Sequence, residues 1–151
     1  MPIPATTSAR ATCLSGEPLA HVDADLTGLD RPQEVARCLV RDILGDADES
    51  WAEGIVLVAD ELVGNAYRHV EASKPIEIAV DLYGWGAVVQ VTDGGSDVNA
   101  IPRRPELPML EAEGGRGLIL VEALASSWFA RPTAPGKAVV ALFHHPSGVL
   151  R

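Results

Sequence analysis

The chain has 151 residues, a net charge of −9, and a composition that is 47% hydrophobic and 22% charged; that length suits one domain and is short for two. The negative charge repels a polyanion and the basic residues are scattered, so nucleic acid is not an expected partner. With no run of about 18 apolar residues, no basic-then-apolar leader and no CxxC around Cys13 or Cys38, the expectation is a soluble, cytoplasmic protein without membrane span, disulfide framework or structural zinc.

Residues 1–30 are rich in Pro, Thr, Ser and Gly and read as a flexible segment with room for one short edge strand; the domain proper is expected over 31–145, with a tail at 146–151. "LDRPQEVARCLVRDIL" predicts a helix, with Asp30 as N-cap, Pro32 in the first turn, and Val35, Leu39 and Ile43 at helical spacing. A second helix begins near "DADESWAEG" and carries Ile55, Ala59, Leu62, Ala66 and Val70 along one face. "PIEIAVDL" then alternates Ile76, Ile78, Val80 and Leu82 against Glu77, Ala79 and Asp81, "YGWG" supplies turn glycines, and "AVVQVTD" supplies the returning strand.

From Gly94 to Gly115 the chain holds Pro102, Pro105 and Pro108 and little periodicity, which is longer than the loops of most compact domains and points to a functional segment. "LILVEALAS" after Gly117 reads as an apolar helix, and "SSWFARP" and "KAVVALFHH" read as a closing strand pair around "TAPG". Strands that arrive as hairpins rather than as βαβ units imply an α+β fold, a two-layer sandwich of a mostly antiparallel sheet with helices on one face.

The second helix also places Glu61 and Asn65 at i, i+4, side by side next to the Leu62 stripe. Such a pair either forms an ordinary solvated rim or offers a carboxylate and an amide oxygen to one hard cation, the carboxylate being able to take a proton from a nucleophile. Gly64 between them costs about 1 kcal/mol relative to Ala in a helix, which implies that something packs against the backbone there. "TDGGSD" brings Asp93 to a strand end, either as a plain turn or as an acceptor for an exocyclic amine beside glycines that a flat ring can approach. "EGGRGLILVEAL" puts glycines directly before a helix, where free N–H groups favour phosphate. His144 and His145 point to opposite sides of a strand and cannot easily share a metal, and Trp51, Trp85 and Trp128 are dispersed, as core or interface residues are.

Taken in order, Glu61 with Asn65, Asp93 with Gly95, and Gly115 with Gly117, separated by a proline-rich lid, resemble the asparagine box and the two glycine boxes of the GHKL ATPase superfamily. The single-domain size resembles the anti-sigma-factor serine/threonine kinases within it, and "ELVGNAYRH" and "GGRGLILVEALA" carry the likeness. The resemblance implies the Bergerat ATP-binding fold, ATP and Mg²⁺ as cofactors, and two protein partners, a sigma factor and an anti-sigma antagonist phosphorylated on serine. It also implies a homodimer.

By the same resemblance Asn65 would coordinate Mg²⁺, Glu61 would be general base, Asp93 would receive the adenine amine, Gly95 would let the ring pack, and Gly115 and Gly117 would line the triphosphate. Arg116 either reaches phosphate or faces solvent on the lid. Two departures stand out: Asp97 replaces the last glycine of the first glycine box, and Ala138 falls where the family often places a threonine beside the adenine. The alternative to a kinase is a binding module that acts by capturing its partner alone.

Overall fold

Alternation in the sequence becomes a five-stranded sheet in the computed structural model, which describes residues 16–69, 74–94, 113–133 and 136–147. The strands are β1 (Ala20–Asp25), β2 (Ile76–Tyr83), β3 (Gly86–Asp93), β4 (Ser127–Pro132) and β5 (Lys137–His144), and three helices accompany them: α1 (Pro32–Leu44), α2 (Glu49–His69) and α3 (Glu113–Leu124). The sheet order is β1-β2-β3-β5-β4, and every neighbouring pair is antiparallel.

Each strand turns one set of alternate residues to the helices. Ile76, Ile78 and Val80 of β2, Ala87, Val89 and Val91 of β3, and Val139, Ala141 and Phe143 of β5 join one buried cluster with α1, α2 and α3. That burial supplies most of the driving force for folding. The fold is thus α+β, a two-layer arrangement with the helices on one face. The opposite face holds a smaller cluster of Tyr83, Val88 and Val140, with Trp85 stacked on Tyr83 at 5.1 Å.

Helix α2 buries the stripe its period predicts, Ile55, Ala59, Leu62 and Ala66, and adds Val56, Val58 and Val63; Val70 lies outside the described residues. Its first turn is capped by Asp48, whose carboxylate accepts the Trp51 N–H at 3.0 Å. Helix α1 departs from expectation. Its N-cap is Arg31, with no side-chain cap, and the buried positions are Pro32, Ala36, Val40 and Leu44. Leu39 and Ile43 only flank the core, and Val35 is 37% exposed. The apolar residues of α1 form two adjacent stripes, and the sheet selects the one a residue further on.

Gly86 opens β3 where no side chain fits, since a Cβ there would lie 1.9 Å from the Phe143 carbonyl oxygen. On the helix-free face His21 Nδ1 lies 2.5 Å from the 1%-exposed Asp81 and its Nε2 lies 2.7 Å from Asp23. At the end of β1, the Thr27 hydroxyl and then the Thr27 N–H hold the Asp25 carboxyl below the usual aspartate range. Among the described residues no helix is long and apolar enough to cross a membrane.

Candidate functional site

Glu61 and Asn65 sit one turn apart on α2, as 3.6-residue periodicity requires. Glu61 is half-buried, and its carboxylate makes no hydrogen bond or ion pair among the described residues. Its neighbour Asp60 is engaged instead, accepting from Arg37 of α1 at 2.6 Å. Asn65 is 3% exposed, and its Oδ1 accepts from Arg68 Nη2 at 2.5 Å. The amide N–H groups of Asn65 find no acceptor among the described residues, a costly condition for a buried polar group and one that marks functional sites. An uncommitted carboxylate beside a buried amide oxygen is a donor set suited to Mg²⁺, which prefers oxygen ligands.

What packs against Gly64 is a side chain of α1. A Cβ at Gly64 would meet Gln33 Nε2 at 3.0 Å, and that nitrogen donates to the Asp60 carbonyl at 3.0 Å. The glycine thus permits helix–helix contact just behind Glu61 and Asn65.

Asp93 ends β3 and is 4% exposed. The β3–β5 register sets it opposite Lys137, the first residue of β5. Lys137 is 2% exposed, and its Nζ lies 3.2 Å from both Asp93 Oδ1 and Oδ2. The sequence reading did not single out this lysine; it placed Ala138 where the family often has a threonine beside the adenine. Strand alternation separates the two positions: Ala138 pairs with Thr92 and turns away from the helices, whereas Lys137 and Asp93 share the helix-facing side with Val139 and Val91. The period-two rule, started at the glycine before β5, would have found Lys137.

At Gly94, next to Asp93, the chain itself comes close to the backbone. A Cβ at Gly94 would lie 2.7 Å from Pro75 Cδ, and the Gly94 N–H donates to the Pro75 carbonyl at 2.9 Å. Gly95, Asp97 and the proline-rich stretch through residue 112 lie outside the described residues.

Gly115, Arg116 and Gly117 fall inside α3, which starts at Glu113 rather than after them. Glycine is a poor helix former, which is why the sequence reading placed the helix start later. A helix leaves its first N–H groups without intrahelical partners, so Gly115 keeps a donor near the helix start and Gly117 lies within the helical ladder.

The remaining candidates resolve into packing. His144 packs on Trp85 and His145 on Trp51, at ring separations of 5.2 and 4.7 Å. Trp51 Nε1 donates to the His144 carbonyl and Trp128 Nε1 to Glu122. Cys38 is a free, exposed thiol. No group of three or more His, Cys, Asp or Glu side chains able to hold a metal occurs among the described residues.

A family model described as the histidine kinase-like ATPase domain matches residues 22–143, which span β1 to β5 and include Glu61, Asn65, Asp93 and Lys137. A comparison with curated proteins returns no match. Among solved structures, the RsbU and RsbW domains of Rv1364c from Mycobacterium tuberculosis superpose with a TM-score of 0.62 at 21% sequence identity. That alignment covers 89% of this chain and 36% of the other, so this chain spans about a third of that structure's length and shares its fold.

Proposed function

The chain belongs to the histidine kinase-like ATPase domain family, and from that premise we propose that it is an ATP-binding regulatory protein of the anti-sigma-factor kinase kind. In this reading it binds a sigma factor and transfers phosphate from ATP to a serine of an antagonist protein. The observation that carries it is Glu61: a half-buried carboxylate with no protein partner among the described residues, one helical turn before a buried asparagine. A carboxylate held by a salt bridge is a poor proton acceptor, and Glu61 is not so held.

In the mechanism this supports, Glu61 accepts the proton of the incoming serine hydroxyl while Asn65 would hold Mg²⁺ through its amide oxygen. Asp93 would receive the exocyclic amine of the base, and Gly115 would offer a backbone donor to phosphate. ATP, when bound, supplies the phosphoryl group. A second reading, partner capture without phosphate transfer, is favoured by the Arg68–Asn65 contact, which occupies a group assigned to the metal.

Incubation with γ-labelled ATP, Mg²⁺ and candidate antagonist proteins tests the assignment. Label on antagonist serine is the expected result. Retained sigma-factor capture with no label on any antagonist would move the protein to the second reading.

A further inference from the structure

Lys137 is a fully buried ammonium at the last rung of the β3–β5 ladder, beside the chain that leaves the sheet at Gly94. An ammonium carries three N–H donors. Its polar partner is Asp93, whose two oxygens both lie at 3.2 Å, and at least one donor has no acceptor among the described residues. A buried donor left unmet is costly, so the position suits a ligand that brings an acceptor.

The pair also has a direction. Asp93 offers acceptor oxygens and Lys137 offers a donor, adjacent to each other on one face of the sheet. We propose that Lys137 is a specificity-determining residue that reads the base jointly with Asp93: the carboxylate takes the exocyclic amine of adenine, and the ammonium donates to the neighbouring ring nitrogen N1. This deepens the nucleotide reading given above and rests on it. A carboxylate alone recognises only the amine and is indifferent to whether the next ring atom is nitrogen or carbon. Lys137 makes the site sensitive to that atom, since a base with C–H there leaves the buried ammonium unmet.

The test compares ATP with 1-deaza-ATP, which keeps the amine and replaces N1 by C–H, by calorimetry on the wild-type protein in Mg²⁺. A hydrogen bond from a charged donor sets the expected loss for the analogue at about tenfold to a hundredfold in affinity. In Lys137→Met the gap between the two nucleotides is expected to close. Because this variant takes the Lys137 charge away from buried Asp93, the Asp93→Asn/Lys137→Met double variant, which removes both charges, repeats the comparison with the same expected loss of discrimination. Equal wild-type affinity for ATP and 1-deaza-ATP would overturn the role of Lys137 and leave the nucleotide reading standing. Absence of ATP binding at millimolar concentration would overturn both.

Discussion

Arg68 Nη2 donates to Asn65 Oδ1 across one turn of α2, at 2.5 Å. The amide oxygen proposed for a cation thus already accepts from a guanidinium and keeps one lone pair for a metal. Asn65→Ala removes both contacts at once. Metal-dependent ATP binding is expected to be lost, while stability changes by no more than about 1 kcal/mol, because Ala is the better helix former and offsets the lost hydrogen bond. Calorimetry beside a denaturant melt checks this, and wild-type affinity for Mg·ATP in the variant would remove the metal role.

Glu61→Gln preserves size and cannot accept a proton. Phosphate incorporation into the antagonist is expected to fall by roughly 10²–10⁴-fold, with ATP affinity nearly unchanged because Asn65 and Asp93 remain. Equal incorporation by variant and wild type would show that another group takes the proton.

Gly86→Ala addresses the fold. With 1.9 Å between the added Cβ and the Phe143 carbonyl oxygen, the β3–β5 ladder must separate locally, at a cost of about 3 kcal/mol or more. A urea melt reads the loss directly. A wild-type midpoint would mean that the two strands can separate at Gly86 without penalty.

Asp25 predicts a pH dependence. Hydrogen bonds from Thr27 lower its folded value below that of the unfolded chain. The stabilisation is therefore complete above the unfolded value and is lost as pH falls through the folded one. Asp25→Asn should flatten the acid limb of the stability curve and leave the slope near neutrality alone. The effect is small, since the group is exposed to solvent. Melts across an acid series, with identical curves for both proteins, would contradict it.

Local pattern made the hairpin of β2 and β3 and the core stripe of α2 legible, since period two and period 3.6 are written in consecutive residues. It could not decide which of two apolar stripes on α1 faces the sheet, because Val35, Leu39, Ile43 and Ala36, Val40, Leu44 are both helical series. Glu61 and Asn65 were readable as neighbours for the same local reason. The partner of Asp93 was not, because Lys137 lies 44 residues away and meets it only through sheet register. Nor was Arg68 readable as the residue holding Asn65, since an i, i+3 spacing permits that contact without requiring it.

The order β1-β2-β3-β5-β4 also fixes when the site can come into being. Among the described strands β5 is the last to be synthesised, yet it is inserted between two earlier ones. Until it emerges from the ribosome, β3 presents an unpaired edge and Asp93 lacks its counter-charge. Closing the β3–β5 ladder therefore cannot begin before β5 is made. A nascent chain stalled before residue 137 is expected to expose the β3 edge to chaperones and to hold no nucleotide, so that binding competence arrives in one step with the completed sheet.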